Sequence, residues 1–154
     1  MWDTIFNLGN GLALLMWLCL IALPRWPALL AAVLYLGVAV LCLAYAGLLV
    51  ALLGGVINPV REAGLGGSRG FGDFSLGGIA SLFRSQGGVT VGWLHYLALD
   101  LFAGLWIARD ADAKGFSRWI QAPILLLTFL AGPFGLLVWL VIRERRARAT
   151  GRWS

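Results

Sequence analysis

Four polar side chains stand out inside stretches that are mostly apolar: Asp100, His95, Asn7 and Asn10. Asp100 is the costliest of them. A carboxylate near the centre of a bilayer costs at least about 2.5 to 3.5 kcal/mol on insertion scales, so it requires a partner, a proton or a purpose. No Lys or Arg lies within the apolar stretches to neutralise it, which leaves Asp100 either protonated or hydrogen-bonded inside a bundle. At about 100° per residue Trp93, Tyr96 and Asp100 share one helix face, whereas His95 projects about 140° away from Asp100. Asn7 and Asn10 are i, i+3 neighbours, a stripe that could face Asp100 or His95 from another helix. Two readings of these groups are open. They are glue between helices, through hydrogen bonds of about 1 kcal/mol that fix packing, or they form a functional site. Thr128, Tyr35 and Tyr45 are expected to satisfy local backbone or packing.

Other chemistries are excluded by residue type and spacing. Two cysteines and one histidine cannot fill a standard zinc site without a carboxylate, and neither C-x-x-C nor H-E-x-x-H occurs. Cys19 and Cys42 fall in apolar segments, where a thiol behaves as a small hydrophobe. The glycine-rich run from Gly64 to Gly72 lacks both the G-K-[ST] ending of a phosphate loop and the G-x-G-x-x-G spacing of a dinucleotide fingerprint. No metal, no cofactor and no nucleic-acid partner is expected.

The elements that must position these groups are membrane helices. Of 154 residues 60% are apolar and only 12% charged, with a mean hydropathy of +0.86. A small soluble domain of that composition would expose large apolar patches to water, and the reading is an all-α polytopic membrane protein: four transmembrane helices in one bundle, a single domain over residues 1–154. The spans are placed at 4–23, 28–54, 86–108 and 119–142, each uncharged apart from Asp100 in the third. About 20 residues at 1.5 Å each cover the hydrocarbon core. Without a basic start or a cleavage site, the first span is expected to be retained rather than cut as a signal peptide. Gly132-Pro133 is expected to bend the fourth span. Residues 57–88 form the polar, glycine-rich connection, within which Phe74 to Arg84 could lie in the headgroup region as a short amphipathic helix capped by Ser75. Trp26, Trp106 and Trp119 read as interface anchors.

Charge sets the orientation. The basic tail, 143–154, carries Arg143, Arg145, Arg146, Arg148 and Arg152, a stop signal against anionic lipid rather than a nucleic-acid tail. With four spans both termini share a side, which collects eight basic residues against four. Both termini and the glycine-rich loop are therefore expected in the cytoplasm. One Lys among 12 basic residues, with abundant Ala and Gly, points to a GC-rich bacterial genome and so to a bacterial inner membrane.

Three stretches together carry a resemblance. They are Phe6-Asn7-Leu8-Gly9-Asn10 with Trp17 and Leu23-Pro24-Arg25-Trp26; the run Gly92-Trp93-Leu94-His95-Tyr96-Leu97-Ala98-Leu99-Asp100-Leu101-Phe102 with Gly104 and Trp106; and Leu127-Thr128-Phe129 with Gly132-Pro133-Phe134-Gly135-Leu136-Leu137. The chain resembles the abscisic-acid-deficient-four-like family of small four-span proteins, whose plant members are implicated in converting violaxanthin to neoxanthin. That resemblance implies a cofactor-free isomerisation. An acid protonates the epoxide oxygen as the ring opens, and a base removes a proton from the adjacent polyene carbon. It implies Asp100 as acid and His95 as base. Asn7 and Asn10 would orient them or bind the substrate hydroxyl, Trp93 and Tyr96 would line the polyene slot, and Thr128 would join the substrate-binding set. Gly104, Gly132 and the Pro133 bend would open a crevice toward lipid, with residues 74–83 over its cytoplasmic end. The alternative is a non-catalytic subunit that binds a carotenoid, another isoprenoid or a quinone within a larger membrane complex, such as a photosynthetic one.

Overall fold

The computed structural model describes residues 1–54, 56–57 and 75–150. Every regular element among the described residues is helical. Helix α1 (Trp2–Ala22) ends before Pro24, and α2 (Pro27–Ala32) starts on a proline suited to a first helical turn. A π-helical segment (Val33–Ala39) joins α2 to α3 (Val40–Leu53). The buried residues Leu29, Val33, Gly37 and Leu41 recur every four positions, a spacing that drifts around an α-helix and that wider π turns hold on one face. Gly37 permits the contact: a Cβ there would meet Met16 Cγ at 2.8 Å and Leu101 Cδ2 at 2.9 Å.

Helix α4 (Leu76–Leu82) is the short helix expected after Ser75, whose Oγ accepts the Gly78 N–H at 3.1 Å. The glycine-rich run from Gly64 to Gly72 lies outside the described residues, as does Arg152. Helix α5 (Gln86–Ala113) is the axis of the molecule, with α1, α3, the π segment, α6 (Arg118–Leu130) and α7 (Gly132–Thr150) all packed on it. Its buried Leu94, Leu97, Ala98, Leu101, Leu105 and Ala108 carry the apolar core.

Among the described residues three helices are long and apolar enough to cross a membrane: Trp2–Ala22, Pro27–Leu52 and Gln86–Ala113. The expected fourth span, 119–142, is not one helix. The backbone leaves helical geometry at Ala131 (φ −151°, ψ 72°), and α7 runs back along α6. Trp139 stacks edge-on against Phe116 at 5.0 Å, and Arg146 Nη1 donates to Gly115 O at 2.7 Å. In one straight helix these partners would stand about 35 to 45 Å apart. The reason is local. Pro133 sits in the first turn of α7, where its missing N–H needs no partner, so it opens a new helix instead of bending an old one. Gly135 lets the two arms close, because a Cβ there would overlap the Thr128 hydroxyl and backbone. A further correction concerns Gly104. Its open face is filled by the Trp17 ring, which a Cβ would overlap, so it seats a core tryptophan and opens no crevice.

Candidate functional site

The face of α5 that carries Trp93, Tyr96 and Asp100 meets α1 at one end and the turn of the α6–α7 hairpin at the other. Gly9 allows α1 to approach, since a Cβ there would stand 2.6 Å from Leu94 Cδ2. Asn10 Nδ2 donates to its own Phe6 O at 2.9 Å, which turns its Oδ1 outward to accept Trp93 Nε1–H at 2.9 Å. The Trp93 ring so fixed stacks on Phe6 (centroids 5.7 Å, planes 28° apart) and on Tyr96 (5.2 Å, 25°). Three rings therefore form a ladder that leads to Asp100. Trp93 remains 37% exposed, so the ladder has an open side.

At the inner end of the ladder, Gly132 lies against Asp100 so closely that a Cβ would overlap the carboxylate. The Tyr96 hydroxyl interacts with that carboxylate and with the Gly132 backbone. Asp100 Oδ2 is buried and has no hydrogen-bond partner among the described residues. Asp100 is also central, about 21 Å of helix from Gln86 and about 20 Å from Ala113. The 13 residues of α6 span the second of these distances, so the hairpin reaches from the Ala113 end to mid-helix and turns there.

Of the seven residues read from the sequence as a site, the structure brings four together: Asn10, Trp93, Tyr96 and Asp100. The other three lie elsewhere. His95 faces α3, its ring 5.2 Å from that of Tyr45, on a different side of α5 from Asp100. Asn7 is exposed. Thr128 is fully buried, donates to Ile124 O at 2.8 Å within its own helix and serves as the seat of Gly135. Sequence reasoning missed Phe6, the outer rung, which looks like any apolar residue of α1. Gly132 was legible as a bend but not as the wall of Asp100.

A family model described as ABA DEFICIENT 4-like matches residues 4–139. The chain belongs to the ABA4-like family. No curated protein and no solved structure matches the chain. The matched range in this ABA4-like chain takes in the whole ladder, Asp100 and the hairpin turn.

The opposite end of this ABA4-like bundle is polar and closed. The Arg25 guanidinium, 3% exposed, pairs with Asp112 at 3.0 Å and also donates to Ala108 O and Gln121 Oε1. Burial lowers the hold of Arg25 on its proton, and Asp112 opposes that shift. Gln121 Nε2 donates to Asp112 Oδ1 at 2.9 Å and to Phe116 O at 2.8 Å. Asp110 accepts from Trp139 Nε1 at 3.0 Å and from Arg143 Nε at 2.6 Å, and pairs with Lys114 at 3.0 Å. With Arg25 Nε donating to Leu20 O at 3.1 Å, these contacts tie α1, α5, α6 and α7 together at one end. Among the described residues no group of three or more His, Cys, Asp or Glu could hold a metal ion. What the ladder and its acid can do is bind a flat apolar molecule and exchange a proton with it.

Proposed function

We propose that this protein isomerises a carotenoid or similar isoprenoid, with the polyene laid along Phe6, Trp93 and Tyr96 and its end group at Asp100. The observation that carries this reading is the buried Asp100 Oδ2 with no partner. A polar atom left unsatisfied at a costly depth is accounted for when a substrate supplies its hydrogen bond. For an epoxide end group the steps balance within one carboxyl. Protonated Asp100 gives its proton to the epoxide oxygen, the carbon–oxygen bond breaks with its electron pair going to oxygen, and the carboxylate removes the proton of the neighbouring polyene carbon. The electrons of that carbon–hydrogen bond become the second double bond of an allene, and the acid is restored. Nothing is oxidised or reduced. Tyr96 orients the carboxyl. His95, facing α3, takes no part, so both roles fall to Asp100.

The test is expression in a host that makes epoxy-carotenoids, with pigments separated by chromatography and identified by absorption and mass spectra. The parent chain should yield an isomer of unchanged mass that the Asp100→Asn chain, inserted at equal level, does not. An unchanged profile with pigment co-purifying from the parent chain would overturn catalysis in favour of a binding subunit.

A membrane placement goes with this reading. Three helices cross the bilayer, and the α6–α7 hairpin dips in to mid-depth from the Ala113 end without making a fourth crossing. Met1 and the basic tail then lie on opposite sides. By sequence the Ala113 side carries Arg25, Arg109, Lys114, Arg118 and the five tail arginines, against Arg61, Arg69 and Arg84 on the other. That bias supports a cytoplasmic tail and an outside Met1, in what we read as a bacterial inner membrane. Reporter fusions at each end check this; equal signals from both would restore a fourth crossing and a cytoplasmic N-terminus.

A further inference from the structure

Helix α7 and the π segment flank α5 without closing over it. Against the π segment α5 leaves a furrow of about 380 Å³, lined by Leu34 and by Phe102, Leu105, Trp106, Arg109, Asp110 and Ala113. Its volume falls at the small end of ligand sites, about 300 to 1,000 Å³. Phe102 to Ala113 is 11 residues, about 16 Å of helix, close to the 15 Å or so of one bilayer leaflet. Arg109 stands about 13 Å of helix from the central Asp100, the depth at which hydrocarbon gives way to headgroups.

The charges at that depth are arranged unevenly. Asp110 is neutralised by Arg143 and Lys114, so it does not repel an anion. Arg109 is exposed, and among the described residues it makes no hydrogen bond or ion pair. Arg143, already on Asp110, also lies over the Trp106 ring at 5.4 Å from its centroid. An apolar trough of leaflet length with a free guanidinium at its headgroup end matches one chemistry.

We propose that this furrow binds an anionic glycerophospholipid, one acyl chain lying against Phe102, Leu105 and Leu34 and the phosphate on Arg109. A neutral carotenoid needs no cation there, so this site is separate from the ladder at Asp100, and its test is independent of the isomerase reading.

The full chain is reconstituted into nanodiscs of equimolar phosphatidylglycerol and phosphatidylcholine, released, and the retained lipids are counted by native mass spectrometry. The parent chain should keep phosphatidylglycerol in preference. Arg109→Gln should lower that preference about fivefold, Arg109→Lys should keep most of it, and Arg84→Gln, an exposed cation at the other end, should leave it unchanged. Ala113→Trp, which fills the furrow, should abolish retention of both lipids. Should Arg109→Gln fail to fold, the Ala113→Trp and Arg109→Lys chains decide. Equal retention of the two lipids by the parent chain, or a preference indifferent to Arg109→Gln or to Ala113→Trp, overturns the proposal. So does complete displacement of the lipid by free glycerol phosphate, since the acyl trough would then contribute nothing.

Discussion

Asp110 and Asp100 lie ten residues apart on the same helix, yet the bundle treats them in opposite ways. Around Asp110 donors come from two directions: Lys114, just past the end of α5, and Trp139 and Arg143 from α7. Around Asp100 there is one phenol, one glycine backbone and an oxygen left bare. Burial alone therefore says little about a carboxylate. A buried charge with a full set of donors holds helices in register, whereas one that lacks them carries a standing cost that only a proton or a guest can relieve.

The largest effect should follow from breaking the satisfied end. Asp110→Ala strands Arg143 and Lys114 together, and should cost about 3 to 5 kcal/mol in reversible unfolding in micelles. Asp100→Asn should do the reverse of this, losing at least about a hundredfold in isomer formed while leaving the unfolding midpoint unchanged, because a neutral amide of similar shape replaces a carboxyl that bears a proton at rest. A chain whose stability falls with Asp100→Asn as steeply as with Asp110→Ala would remove the contrast between the two ends. Gly132→Val puts a branched side chain where the Asp100 carboxylate lies, so it should cost about 1 to 3 kcal/mol as the hairpin turn shifts, with a parallel fall in product. The smallest effect is expected from His95→Ala, whose stability should change by no more than about 0.5 kcal/mol with pigment conversion unaltered. Loss of product in that variant would return His95 to the reaction.

Much of the α5 face could be read without coordinates. Trp93, Tyr96 and Asp100 recur at helical spacing, so any helix there aligns them, and His95 is turned away by the same geometry. Ser75 was legible as a cap because a hydroxyl ahead of an apolar run supplies an acceptor for free N–H groups. The ion cluster was not. Arg25 follows α1, Asp110 and Asp112 share α5, and Gln121 sits on α6, and no local pattern states which chain ends share a side of the bundle. Thr128 looked available for a substrate, but a hydroxyl on a helix readily bonds the carbonyl four residues back, and only the return of α7 shows what covers it.

The solvent that suits this protein is written in its composition: so apolar a chain is matched to lipid, and lipid obliges a backbone to close its hydrogen bonds within helices. The path of those helices was decided by packing. Gly132-Pro133 is compatible with a bend in one long helix or with the start of a second one folded back. The choice fell to contacts made far along the chain, Gly135 on Thr128, Trp139 on Phe116 and Arg143 on Asp110. Each has its energy only once both arms are in place, and a linear sequence does not display the distances that sum them.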